Sequence, residues 1–153
     1  YEGEEKEFMK KGIEYKNCYI HELDKSLYDY IFAFEVIEHV EDQAKFIEEI
    51  SSRLKDNGVL FLSSINKNTL SKIMLIDVAE NLLGIVPKGT HDENYFIEPD
   101  NLSEILRQNN IEVLDKSGTA FNPITENMCF IPSLSVNYIL SARKLASSEN
   151  NKD

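Results

Sequence analysis

Apolar positions along this chain change period several times, and each change predicts an element. From Tyr28 to Val36 the run YDYIFAFEV is nearly continuous in apolar residues, the pattern of a parallel strand covered on both faces. After it, Asp42 can cap a helix in which Phe46, Ile47, Ile50 and Leu54 recur at spacings of three and four. KDNG ends that helix, with Gly58 available for the left-handed position. VLFLSSI, residues 59–65, follows as a second buried strand. Strand, helix and strand at this spacing form a βαβ crossover, so the fold class is α/β with a parallel sheet.

Elsewhere the pattern is less regular. EGEEKEFMKKG reads as the second half of a helix, and IEYKNCYI, residues 13–20, has the tyrosine and isoleucine content of a strand. Residues 69–86 carry apolar side chains around much of a helical circumference, and PKGTHDENYF is a loop punctuated by Pro87 and Gly89. A capped helix starts near Pro99 and Asp100 and buries Leu102, Ile105 and Leu106. Two last strands, IEVLDKSGTAF and LSVNYILSARK, flank NPITENMCFIPS, which reads as an irregular link too long for a tight hairpin turn. Residues 145–153 form a polar tail, expected to be disordered.

Composition narrows the classes. The 153 residues are 42% hydrophobic and 28% charged, enough apolar material for one core. Sixteen Lys and Arg stand against 27 Asp and Glu, a net charge of −11 without a basic stripe, which argues against nucleic-acid binding. Cys18 and Cys129 share no CxxC spacing, so neither a zinc knuckle nor a disulfide framework is expected, and a reducing compartment suits them. IMLI, the longest apolar run of the helical middle, falls far short of the roughly 20 residues that cross a bilayer. With no initiator methionine, the chain reads as a piece of a longer protein.

Candidate chemistry gathers at one edge. In open parallel sheets ligands bind outside the carboxyl ends of the strands. Residues 19–22, 34–39 and 66–91 all fall there. Glu35, Glu38 and His39, at i, i+3 and i+4, can converge on one face of a helical turn. Two readings stay open for them: a solvated first turn favoured by the helix dipole, with a packed histidine, or a site. His21 reads as structural.

The ordered set EVIEHV, LKDNGVLFLSSIN, GIVPKGTHD, FIEPDNL, FNPIT and VNYIL resembles the S-adenosylmethionine-dependent O-methyltransferases of ubiquinone biosynthesis, over about residues 13–144. GIVPKGTHD followed by FNP is the discriminating part; EVIEHV is shared more widely. The resemblance implies a Rossmann-like class I methyltransferase fold, a mostly parallel sheet with helices on both faces. Residues 1–144 would be the carboxyl-terminal portion of that single domain, the amino-terminal cofactor-binding strands lying upstream. It implies that Phe34 contributes to the S-adenosylmethionine pocket, that Tyr19 and Ile20 approach the adenine, and that Glu35, Glu38 and His39 hold a divalent metal, usually magnesium. Residues 65–95 would cover the substrate and touch the membrane, and Asn122 with Pro123 would close the substrate side. Phe34 is bulkier than in some members, Glu93 stands where many have an aromatic residue, and the Gly-rich turn and ribose-holding acidic residue are not in this sequence.

The implied reaction is O-methylation of a polyprenyl catechol or hydroxyphenol. A cation on the two carboxylates would bind a catechol oxygen and lower its pKa, although an imidazole ligand suits manganese or zinc at least as well as magnesium. His91 would orient the substrate or act as base, or else cap a loop carbonyl. Exposed Leu75, Ile76, Leu82 and Leu83, helped locally by Lys67, Lys72 and Lys88, would give peripheral attachment to a lipid surface. The implied location is the matrix face of the mitochondrial inner membrane or the cytoplasmic face of a bacterial plasma membrane, among other ubiquinone-biosynthesis proteins. A methyltransferase of another phenol, and a scaffold of the same fold that has lost its cofactor site, are the alternatives.

Overall fold

The computed structural model describes residues 12–72, 93–122 and 127–146. In chain order these contain strand β1 (Tyr28–Ala33), helix α1 (Gln43–Arg53), strand β2 (Leu54–Ile65), the single turn α2 (Thr69–Lys72), helix α3 (Pro99–Gln108) and strands β3 (Ile111–Asn122), β4 (Asn127–Ile131) and β5 (Asn137–Lys144). Short 3₁₀ turns lie at Ile20–Glu22, Ile37–His39 and Glu93–Tyr95. The five strands make one sheet in the order β1-β2-β5-β3-β4. β1 and β2 are parallel, and β5 is antiparallel to both β2 and β3. Hence β1, β2 and β3 share a direction, β5 is the reversed strand between the last two, and β4 hangs antiparallel on β3.

The core lies between one face of this sheet and the two longer helices. Asp42 starts α1 by accepting the Lys45 N–H on Oδ1 at 2.9 Å, and the apolar period then buries Ile47 and Ile50, with Leu54 following at the head of β2. Pro99 opens α3, where its fixed φ suits a first helical position, and Leu102 and Leu106 pack inward. These side chains meet Leu60 and Leu62 of β2 and Tyr138, Leu140 and Ala142 of β5 in one cluster. The phenol of buried Tyr138 donates to the Ile97 carbonyl at 3.1 Å, which satisfies its polar end.

The end of α1 differs from the expectation: the helix stops at Arg53 with Leu54 extended, and the left-handed residue falls within β2. Asn57, with φ 61°, takes the left-handed position, and Gly58 is buried for another reason. A Cβ at Gly58 would stand 2.8 Å from the Lys55 carbonyl oxygen and 2.9 Å from Leu54 Cδ1. Asparagine tolerates the left-handed region because its short amide can bond locally, whereas only glycine leaves room here. Gly58→Ala is expected to cost about 1–2 kcal/mol in urea unfolding, the usual penalty for forcing atoms into a packed site.

Three more expectations change. Residues 13–19 run exposed without forming a strand before turning into Ile20–Glu22; a strand needs a neighbouring strand for its backbone groups, and the described sheet does not include this stretch. The link read as irregular contains β4, whose Asn127–Ile131 pairs with Gly118–Asn122. β1 is covered on only one face by the described elements: Ile31 and Ala33 turn toward the core, while Tyr30 and Phe32 are each 62% exposed. The described helices α1 and α3 both serve that one core. Most of the expected amino-terminal helix, residues 73–92 with His91, residues 123–126 with Pro123, and the tail from 147 lie outside the described residues.

Candidate functional site

β1 stops at Ala33, and the chain then turns across the carboxyl end of β2. Glu35 makes this turn with φ 53°, an uncommon conformation for a residue with a side chain. Two bonds hold it there. The Glu35 amide donates to Ser63 Oγ at 2.9 Å, and the Ser63 hydroxyl donates to Glu35 Oε1 at 2.6 Å. One residue further along β2, the Ser64 hydroxyl donates to Glu38 Oε2 at 3.2 Å.

Glu38 lies in the Ile37–His39 turn and is 2% exposed, with Oε1 lacking any hydrogen-bond partner. Burial, reinforced by the Glu35 carboxylate, pushes its carboxyl up to about 7. Below it sits Tyr138, the register partner of Ser64, whose phenol is raised above its ordinary value by burial and by both carboxylates. Gln43 braces the loop from the helix side: its Nε2 donates to the Ile37 carbonyl at 3.2 Å and to the Tyr95 carbonyl at 2.6 Å. The product is a pair of acidic side chains, one buried and one exposed, fixed at the carboxyl end of the parallel pair.

His39 does not join them. Successive side chains of a 3₁₀ turn point about 120° apart, so turning Glu38 into the sheet turns His39 outward, where it is exposed. Among the described residues no group of three or more His, Cys, Asp or Glu side chains is placed to hold a metal ion. Glu35 and Glu38 come together, and a three-ligand set from Glu35, Glu38 and His39 is not what this geometry presents.

His39 instead lines a cleft of about 710 Å³ with Tyr19, Ile20, His21, Val40 and Phe46. The Tyr19 and His21 rings stack at 5.4 Å with planes 7° apart, a flat surface suited to a planar heterocycle. The volume is within the usual range for small-molecule sites. Tyr19 and Ile20 therefore share one cleft. Phe34 is not among the residues lining it; 48% exposed, it stands edge-on to Phe32 at 5.8 Å. Asn122 ends β3, its backbone opposite Asn127. His91 lies outside the described residues.

Ser63, Ser64, Tyr138 and Gln43 escaped the reading of the sequence. A signal was present: two adjacent hydroxyls inside the apolar run VLFLSSI, where buried polar groups call for partners.

A family model described as a methyltransferase domain matches residues 3–116. The ubiquinone biosynthesis O-methyltransferase of Colwellia psychrerythraea is 42% identical over 118 residues, 77% of this chain and 48% of that protein. Its namesake in Rickettsia typhi is 37% identical over 140 residues, 91% of this chain and 57% of that protein. The mitochondrial form of Bos taurus is 37% identical over 144 residues, 92% of this chain and 39% of that protein. The chain thus spans about half the length of the curated relatives it matches. Among solved structures, an S-adenosylmethionine-dependent methyltransferase from Clostridium acetobutylicum superposes with a TM-score of 0.63 at 13% identity, over 93% of this chain and 70% of that one. The magnesium protoporphyrin IX methyltransferase of Synechocystis, solved with SAH bound, gives 0.53 at 19% identity, over 83% and 49%. At such identities the structures speak for the fold, that of class I methyltransferases.

Proposed function

Because this chain belongs to the methyltransferase-domain family, we propose that it forms the carboxyl-terminal part of an S-adenosylmethionine-dependent O-methyltransferase acting on a polyprenyl catechol or hydroxyphenol in ubiquinone biosynthesis. Its likeness to enzymes named for that pathway carries the reading. We assign the cleft beside Tyr19 and Ile20 to the adenine end of the cofactor, and Phe34 to the cofactor pocket. Bound there, S-adenosylmethionine supplies an electrophilic methyl group. The protein's share is to hold a phenol oxygen in line with that methyl and to keep water out, since orientation alone can contribute several orders of magnitude.

Glu35 and Glu38 stand at the same carboxyl edge. Of the residues expected to hold a divalent cation they are the two that meet, while His39 faces the cleft, so the described residues do not fit a three-ligand centre. The Glu38 carboxyl, poised near neutrality, can take up or release the phenol proton within the working pH range. His91 is the other residue we assign to substrate orientation.

Full-length protein incubated with S-adenosylmethionine and a demethylated polyprenyl quinol is expected to yield, by mass spectrometry, a product heavier by one methyl group. Transfer confined to other phenols would replace the substrate class, and the absence of both cofactor binding and transfer would favour the scaffold.

We also place a lipid contact within residues 65–95. No helix among the described residues is long and apolar enough to cross a membrane, and Leu70 is 48% exposed in a turn that also carries Lys72. The relatives include both mitochondrial and bacterial proteins, which supports a peripheral site on the matrix face of the inner membrane or on the cytoplasmic face of a plasma membrane. Leu82→Asp combined with Leu83→Asp is expected to release the full-length protein from liposomes in a flotation assay while leaving cofactor affinity nearly intact. Loss of folding and cofactor binding together would make those leucines core.

A further inference from the structure

We propose that Ser63 is a positioning residue of the active site, one that sets the aim of Glu35; the proposal rests on the methyltransferase reading above. A serine inside a strand has no need to touch the residue where the neighbouring strand gives way to its loop. Ser63 does so twice, accepting the Glu35 amide at 2.9 Å and donating to the Glu35 carboxylate at 2.6 Å. Its single hydroxyl proton is thereby committed to Oε1, and a lone pair is committed to the amide. The second bond has the length expected of a hydroxyl on a carboxylate, a charge-assisted bond stronger than a neutral one.

The two bonds act on different degrees of freedom. The amide bond holds the backbone at φ 53°, a conformation that needs support from its surroundings. The carboxylate bond fixes the side chain, which is otherwise exposed and free to choose among rotamers. Neither is required for the core: Ser63 lies on the sheet face opposite the cluster of Leu60, Leu62 and Leu140, level with Ile139 of β5. The bond from Ser64 to Glu38, at 3.2 Å, is longer and leaves Oε1 of Glu38 unpartnered, so Ser63 is the tighter of the two clamps.

Ser63→Ala in the full-length enzyme is expected to lower kcat by about ten- to a hundredfold, since a displacement of about 1 Å near the reacting atoms can cost that much. KM for S-adenosylmethionine should change less than about threefold, because the cofactor cleft is built from other residues, whereas loss of transition-state alignment falls on kcat. Ser63→Thr, which keeps the hydroxyl, should restore most of the rate. A second readout does not depend on activity: amide hydrogen exchange at Glu35 should accelerate in Ser63→Ala and remain protected in Ser63→Thr. If wild-type enzyme transfers no methyl group, the proposed function fails while exchange at Glu35 still judges the clamp. If wild type is active and Ser63→Ala matches it, or if Ser63→Thr is as slow as alanine, or if Glu35 exchange is unchanged, the role assigned to Ser63 is overturned.

Discussion

Purified on its own, the chain of residues 1–153 is expected to bind S-adenosylmethionine negligibly and to associate through the face of its sheet that the described elements leave uncovered. That face is aromatic. Phe32 stacks on Phe61 at 5.1 Å with planes 7° apart, and Tyr30, Phe32, Met128 and Phe130 are exposed by 62%, 62%, 61% and 73%. Between Phe61 and Phe130 lies a hollow of about 260 Å³, walled also by Ile139. Asp115, Ser117 and Ser141 interrupt it, but so many exposed aromatic side chains on one face are uncommon on a soluble monomer. The edge adds to it, since among the described residues β1 bonds to β2 on one side only, and an unprotected edge strand offers its backbone groups to any chain that can pair with it. Relatives about twice as long have the material to cover both the face and the edge. The Gly-rich turn and ribose-binding acid expected of a class I site are likewise absent from this sequence. Sedimentation together with titration calorimetry decides: micromolar cofactor binding by a monodisperse monomer would show that this half of the domain is sufficient, and the association argument would be wrong.

The βαβ unit was legible because each of its boundaries has a local cause. Asp42 caps, the spacing of Ile47, Ile50 and Leu54 fixes the buried helix face, and continuous apolar runs announce β1 and β2. Where the signal was positional rather than local, the sequence said less. KDNG shows that a left-handed residue is needed, but whether Asn57 or Gly58 takes it depends on the room beside Leu54. IEYKNCYI has the composition of a strand, yet strand formation depends on a neighbour, which composition does not reveal. β4 was missed because NMCFI is short and lies in a stretch otherwise full of turn residues.

At the site, Glu35 and Glu38 could be paired from the sequence because charged groups that end an apolar run must find partners. The place of His39 could not. The metal set itself came from the resemblance; only the expectation of one shared face used the spacing of an α-helix, in which i, i+3 and i+4 are neighbours, whereas the chain forms a 3₁₀ turn over Ile37–His39 and Glu35 precedes it in the left-handed region. Nor could Ser63 and Ser64 be matched to their carboxylates, since that depends on how far β1 runs past β2, a register the sequence does not state.

In chelator, with no cation to ionise the pair, Glu38→Gln is expected to make the full-length protein more stable at pH 8 than wild type, by up to about 3 kcal/mol. The sign follows from the direction of the shift. Burial and the Glu35 charge raise the folded-state pKa of Glu38 from 4.5 to about 7, so the folded protein holds this proton more tightly than the unfolded chain does. The stabilising contribution is fully present below about pH 4.5 and is lost as pH rises through 7. At pH 8 the folded state must keep a charge at 2% exposure, with one oxygen unpartnered and a second carboxylate beside it. Glutamine fills the same volume, keeps an acceptor for Ser64 and carries no charge. At pH 5, where wild-type Glu38 is mostly protonated in the folded state, the two proteins should differ by less than about 1 kcal/mol. Taking the difference between them removes the acid sensitivity common to both, including that of exposed Asp100 and Glu104, whose pKa values are lowered by Lys116 and Arg107. Activity should move the opposite way, because a carboxyl that destabilises the fold when ionised is retained at the cost of stability for what it does at the site. Urea unfolding at the two pH values, with methyl transfer measured on the same preparations, tests both halves. A variant equal to wild type at pH 8, or less stable, would show that the Glu38 charge is already compensated in the folded protein.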